Sequence, residues 1–458
     1  FNAPTKPAKP SSITATFVAP KNSLHNAPKE SGSWTVPLKP VHERATTSAL
    51  IGVKESKTDL NEFNGVSPTS LPRSLTTRES PCLMRHPDCP KSTASTSLVA
   101  MRQRILEWMW EDKHMSSLGA IMASEIAETP KVFKAIFDNK DAFNAVKDVL
   151  TEEKIQSVLI LARGTSDNAA HYLKYLIETQ IGLPVGLTSP SSVTVYGSEL
   201  KYANTLIVAI SQSGQSPDLV KFATAARQAN AYVIAMTNDS NSPLATIAHN
   251  HFSLLAGPEL AVAATKSYNA QLLVSYLLVA AWTGKQVNAE QIISEATRLV
   301  QSHELVSTAV QAVSREKEVV ILGRGFAYPN AREAALKVQE TSKISVQGLS
   351  TADYLHGPIS ALTPDTQLFI VAPSHMPAPS IAEATAKIRK TSSRIFWIGN
   401  GGTPEGEDIV LAGSNCDDEI ASTIVDAIVL QRFALEFAVA SGYDPDAPVG
   451  LSKVTLTN

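Results

Sequence analysis

Cysteine is nearly absent from this chain: three in 458 residues, Cys82, Cys89 and Cys416. So few thiols exclude a disulfide-stapled scaffold and fit a reducing compartment. The gap between Cys82 and Cys89 is too long for half of a C-x2–4-C zinc site, and no second pair follows. Cys416, beside Asp417 and Asp418, is expected at the surface. The ten histidines are scattered and none sits at ligand spacing from a carboxylate, so no metal and no other cofactor is expected. Long apolar runs are missing too. No stretch reaches the eighteen residues a spanning helix needs, so no membrane partner is expected. A basic excess is also lacking. The net charge is −3, and beyond residue 114 there are 25 basic residues against 33 acidic ones, the reverse of a nucleic-acid binder. No G-x-x-x-x-G-K-[ST] occurs. Gly323-Arg324-Gly325 begins like G-x-G-x-x-G, but position 328 is Tyr, which excludes a dinucleotide fingerprint.

Hydrophobic residues, at 43%, are enough for a large core, and the length suits two or three domains. They are unevenly spread. Residues 1–100 hold twelve of the 27 prolines with abundant Ser and Thr. That composition buries too little apolar surface to offset chain entropy, so a disordered extension is expected. It is Ser-rich like a transit peptide but has no Arg-rich amphipathic helix. A cytoplasmic protein is therefore expected, with organellar import as the alternative and a domain start near Met115 as another. Residues 101–139 turn helical: Ile105, Trp108 and Met109, then Met122, Ile126, Val132, Ile136 and Phe137, interrupted by Pro130.

Short apolar strands then alternate with helices. Strands are predicted at 158–162, 185–188, 206–210, 232–236 and 251–255, with a long helix over 266–282. Such alternation implies a parallel sheet covered on both faces. The pattern repeats. Leu159-Ile160-Leu161-Ala162-Arg163-Gly164 aligns with Val320-Ile321-Leu322-Gly323-Arg324-Gly325 at an offset of 161. Further strands are predicted at 368–372, 395–398 and 409–411, and a closing helix over 419–439. The fold class is thus α/β, two tandem doubly wound domains over 140–285 and 302–443, with a tail over 444–458.

Chemistry concentrates in two places. In open parallel sheets ligands bind beyond the carboxyl ends of the strands. Two such ends carry hydroxyls: Thr165-Ser166 and Ser211-Gln212-Ser213-Gly214-Gln215-Ser216. Each opens a helix, whose free N–H groups and partial positive charge suit an anion. Helix capping would account for either run alone; two at adjacent strand ends point to a phosphate cradle. In the second domain Glu333, Lys337 and Glu340 follow at steps of four and three, on one helix face. A solvated ion-pair ladder is the usual reading of such a face. Ala331, Ala334 and Ala335 argue instead for close packing, and His356-Gly357-Pro358 follows on a stiff turn. Acid, amine and imidazole within one supersecondary unit are equipment for moving protons on a small molecule.

These motifs resemble the SIS (sugar isomerase) domain family, from about Gln156 onward. The likeness is to the isomerase half of its amino-sugar synthases and, more closely, to its stand-alone amino-sugar phosphate deaminases. The resemblance implies two tandem SIS domains. It assigns Thr165, Ser166, Ser211, Gln212, Ser213 and Ser216 to phosphate and sugar contacts, and adds Ala264-Thr265-Lys266 at the sugar's border. It makes Glu340 the carrier of a proton between C1 and C2 of the open-chain sugar, with Glu333 and Lys337 on the same helix. His356 would assist ring opening from the neighbouring subunit of a homodimer. Lys453, in Leu451-Ser452-Lys453, would reach the sugar carbonyl from the tail. Ala352-Asp353-Tyr354-Leu355 replaces the Gly-Glu-x-Lys that precedes the histidine in synthases. Residues 1–114 are shorter than a synthase's glutaminase domain, and Phe1 is not its cysteine nucleophile. The expected activity is therefore amino-sugar 6-phosphate deamination with isomerisation: glucosamine 6-phosphate and water to fructose 6-phosphate and ammonia. A ketosamine-6-phosphate deglycase, an aldose–ketose isomerase and a non-catalytic sugar-phosphate-binding regulator are the alternatives.

Overall fold

The computed structural model describes residues 118–152, 154–392 and 394–453. The expectations for residues 1–100 and for Ile105, Trp108 and Met109 lie outside them. The described chain enters through three helices, α1 (Ala120–Ala127), α2 (Thr129–Asp138) and α3 (Asn144–Glu152). The helical run breaks at Glu128, just ahead of Pro130. The proline occupies the first turn of α2, where a missing N–H costs nothing. Met122, Ile126, Val132, Ile136 and Phe137 are all buried, as their spacing predicts.

The first sheet follows: β1 (Ser157–Leu161), α4 (Thr165–Gln180), β2 (Val185–Leu187), α5 (Ser191–Thr194), β3 (Thr205–Ile210), α6 (Pro217–Gln228), β4 (Tyr232–Thr237), α7 (Pro243–Ile247) and β5 (Asn250–Ser253). Its order is β2-β1-β3-β4-β5 and every pairing is parallel. Every residue of β3 is buried, as expected for a central strand covered on both faces. The helices α8 (Lys266–Thr283), α9 (Ala289–Leu299) and α10 (His303–Ala312) lead to the second sheet. That sheet comprises β6 (Val319–Gly323), α11 (Ala327–Ser342), β7 (Val346–Ser350), α12 (Thr351–Leu355), β8 (Gln367–Val371), α13 (Pro379–Ile388), β9 (Ile395–Ile398) and β10 (Ile409–Leu411), closed by α14 (Glu419–Ala440). Its order is β10-β9-β8-β6-β7, again all parallel.

The order in which strands are added reverses between β1 and β3 in one sheet and between β6 and β8 in the other. Those switch points are where such folds open a crevice. Two helices are apolar nearly all round. Lys266–Ala280 of α8 and Ile420–Leu435 of α14 are buried throughout, which marks them as core helices. One hydrophobic cluster joins residues of both sheets. Polar bonds cross the same seam: Tyr268 donates to Asn330 Oδ1 at 2.9 Å, and Asn330 Nδ2 donates to Thr423 O at 2.8 Å. Cys416 is a correction. It is buried in that cluster and its thiol is pushed up to about 12 by burial, because the chain turns inward there to start α14.

Candidate active site

β1 ends at Leu161, Arg163-Gly164 follows, and α4 begins at Thr165. β3 ends at Ile210, and Ser211–Ser216 runs into α6. Both loops line one cavity of about 360 Å³, together with Val262, Ala264, Lys337, Glu340 and the tail residues Leu451, Ser452 and Lys453.

The hydroxyls are oriented by what they accept. Ser211 Oγ accepts from the amide of Gly214 at 3.1 Å, and Ser213 Oγ from that of Gln215 at 3.3 Å. Ser166 Oγ accepts from Gln271 Nε2 at 2.9 Å. Each is thereby held with its own proton still available to an anion. Ser216 occupies the N-cap of α6 yet makes no side-chain cap bond, so capping does not explain it. The loop is tight because Gly214 has φ +64°, and a Cβ there would collide with the side chain of Ser242.

Glu333, Lys337 and Glu340 meet as their helical spacing predicts. Lys337 Nζ donates to Glu340 Oε2 at 2.5 Å and to Thr165 Oγ1 at 3.0 Å, and lies 3.5 Å from Glu333 Oε1. These three partners satisfy the ammonium's three protons. Glu333 is fully buried behind the lysine, where Asn168 Nδ2 donates to it at 2.8 Å and Thr165 Oγ1 at 3.2 Å. Burial pushes its carboxyl up to about 7 despite Lys337 and these donors. Burial pulls Lys337 down, but Glu333 first and Glu340 next outweigh it and hold the ammonium above an ordinary lysine. Lys337 and Glu340 both line the cavity, and Glu340 Oε1 has no hydrogen-bond donor among the described residues.

The tail arrives by a separate device. Asp446 accepts from the amides of Ile121 at 2.8 Å and Met122 at 2.7 Å, and Asp444 from that of Gly119 at 3.1 Å. These are donors that the first turn of α1 leaves unpaired. Seven residues on, Lys453 Nζ donates to Glu259 Oε2 at 2.7 Å.

Four expected residues do not line the cavity: Glu333, Thr265, Lys266 and His356. Lys266 is buried and pairs with Glu128 at 2.8 Å, and Thr265 is a buried residue at the start of α8 whose amide donates to Glu259. The helix directs both toward the entry helices and the core, leaving Ala264 alone at the cavity. His356 ends α12, is exposed, and does not line this chain's cavity. Four contributors went unpredicted: Arg163, Asp218, Asn168 and Glu259. The signal for Glu259 was available. It is the only charged residue between Phe252 and Thr265, and a lone carboxylate in an apolar run needs partners.

Residues 150–281 and 312–403 match the SIS domain family. Those two segments are SIS domains. Among curated relatives, the glutamine–fructose-6-phosphate aminotransferase (isomerizing) of Tropheryma whipplei strain Twist is 30% identical over 378 residues, covering 75% of this chain and 60% of its own length. The chain thus spans about 60% of the curated relatives it matches. Two solved structures share the fold. The C-terminal domain of glucosamine-fructose-6-phosphate aminotransferase from Francisella tularensis has a TM-score of 0.64 at 22% identity, covering 73% of this chain and 99% of that one. Glucosamine-6-phosphate deaminase from Thermotoga maritima has a TM-score of 0.59 at 19% identity, covering 74% and 100%.

Proposed function

We propose that this SIS protein is an amino-sugar 6-phosphate deaminase/isomerase acting on glucosamine 6-phosphate. The observation that carries this reading is the convergence on one cavity of a hydroxyl cradle, a carboxylate held by a buried lysine, and a tail lysine. Ser211, Ser213, Ser216 and Ser166 donate to the phosphate. Glu340 takes the proton from C2 of the open-chain sugar and returns it to C1, through Oε1. Lys337 fixes its other oxygen and keeps the carboxylate in place through the step. The resulting ketimine takes up water at C2, and ammonia leaves with formation of fructose 6-phosphate. Lys453 lies beside the carbonyl end. His356 assists ring opening from the second subunit of a homodimer.

A second reading has one observation behind it: the curated relatives that match are glutamine-dependent aminotransferases. On that reading the same residues run the proton transfer toward the amino sugar with ammonia supplied from elsewhere. Incubation with glucosamine 6-phosphate in deuterium oxide separates the possibilities. Ammonia release with deuterium entering C1 is expected. Deuterium exchange without ammonia favours a plain isomerase, and binding without either overturns catalysis.

A further inference from the structure

The internal duplication places a second pocket where the first domain has its cradle. Arg163-Gly164 and Arg324-Gly325 follow the equivalent strands β1 and β6, and the two glycines share φ values of +56° and +57°. Beyond β6, β7 and β8 the second sheet opens a cavity of about 540 Å³, within the ~300–1,000 Å³ usual for small-molecule sites.

Its chemistry differs from that of the first. The positions of Thr165 and Ser166 are taken by Phe326 and Ala327, so the hydroxyls of a phosphate cradle are gone. Arg163 is tied to Asp218 at 3.1 Å, whereas the Arg324 guanidinium makes no hydrogen bond or ion pair with any described residue. Glu419 projects into the pocket with its carboxyl equally unpartnered, and Asp353 adds a second acid. Ser350 is only 9% exposed, lines the pocket, and its hydroxyl has no partner among the described residues. Ser380 Oγ is a buried polar atom without a partner, and the Arg324 guanidinium, the Glu419 carboxyl and the Ser350 hydroxyl line the same cavity, an arrangement a ligand would satisfy.

We propose that this pocket is a second ligand site, taking a polyhydroxylated amine, an amino sugar without phosphate. Two acids against one guanidinium disfavour a phosphate dianion and favour an ammonium. Arg324, Ser350 and Ser380 match sugar hydroxyls. Phe326, packed against Tyr175 with ring centroids 5.9 Å apart, supplies an apolar wall for the sugar's C–H face.

Titration calorimetry of the full chain tests this without turnover, so its outcome is independent of the deaminase reading. Wild type is titrated with glucosamine, with glucose, and with inorganic phosphate. Glucosamine should bind more tightly than glucose. Glu419→Gln, and separately the exposed Arg324→Ala, should each weaken glucosamine about tenfold, the loss of a charge-assisted bond. Both should leave phosphate binding unchanged, while Ser213→Ala should weaken phosphate alone. The proposal is overturned if glucosamine does not bind, if glucose binds equally well, if neither Glu419→Gln nor Arg324→Ala weakens glucosamine, or if Ser213→Ala does.

Discussion

Lys453 Nζ lies 2.7 Å from Glu259 Oε2 although 194 residues separate them in the chain. Glu259 is fully buried and has no spare lone pair of consequence. Its Oε1 accepts from the amides of Thr265 and Ser267, both at 3.0 Å, and its Oε2 also takes Ser267 Oγ at 2.7 Å. Burial alone would raise this carboxyl, but Lys453 and the amides hold it below the usual value. A carboxylate so placed fixes the start of α8 and the tail lysine together.

Lys453→Met should therefore make the fold more acid-sensitive. A lowered carboxyl contributes stability that is complete above its unfolded value, 4.5, and lost as pH falls through the folded one. Without the lysine the folded value rises and the acid midpoint by circular dichroism moves up. The loss at pH 7 should fall below the ~3–5 kcal/mol of a bared buried charge, because the amides and Ser267 remain. An unmoved acid midpoint would show that the pair contributes nothing.

Glu333 should behave with the opposite sign. Its folded pKa, about 7, lies above the unfolded 4.5, so its contribution is intact at low pH and is lost as pH rises to 7. Full ionisation costs roughly 3 kcal/mol, from about 1.4 kcal/mol per unit. The stability difference between Glu333→Gln and wild type, followed by urea denaturation, should shift in the mutant's favour between pH 5 and 8. Taking the difference cancels Asp426 and Glu419, which also lie at about 7. A difference flat with pH would place the Glu333 proton elsewhere.

For the cradle, Ser213→Ala should weaken binding of a sugar phosphate ten- to a hundredfold, since each charge-assisted bond is worth about 1.5–3 kcal/mol. Calorimetry reads this directly, and unchanged affinity would put the phosphate outside the Ser211–Ser216 loop.

Glu340→Gln should bind sugar phosphate as wild type does and lose on the order of 10²–10⁴ in turnover, the usual worth of a general base. Solvent deuterium should no longer enter the product. Exchange at the wild-type rate would pass the role of base to another group, with Glu333 next.

Asp446→Ala removes the side chain that receives the Ile121 and Met122 amides. Helix capping predicts a loss of about 0.5–2 kcal/mol. Tail release adds a sharper sign: limited proteolysis should cut between Asp446 and Lys453 in the mutant far faster than in wild type. Equal cleavage rates would mean the tail is held without this cap.

The strands were readable wherever a parallel sheet buries them on both faces, because Val158–Leu161, Leu206–Ile210 and Leu368–Val371 are unbroken apolar runs. β7 escaped because Gln347 and Gly348 break its pattern. Gly348 packs with no side chain, and a Cβ there would meet the backbone of Ala331 and Arg332 in α11. Within the site, residues on one helix could be placed by arithmetic, as with Glu333, Lys337 and Glu340. Residues that meet only through the fold could not. The partnership of Asn168 with Glu333 spans 165 positions, and nothing local announces it. Thr265 and Lys266 show the converse. They neighbour Ala264 in sequence, yet the first turn of α8 swings them off the cavity.

The lining of the candidate cavity has three cations, Arg163, Lys337 and Lys453, and each is matched by its own carboxylate, Asp218, Glu340 and Glu259. The pull on a phosphate then comes from oriented hydroxyls and the open ends of α4 and α6, whose fields die away within a turn of helix. Such a site does not gather anions from a distance. Ionic strength should barely alter its association rate, and a ligand that slips by an ångström is free to leave.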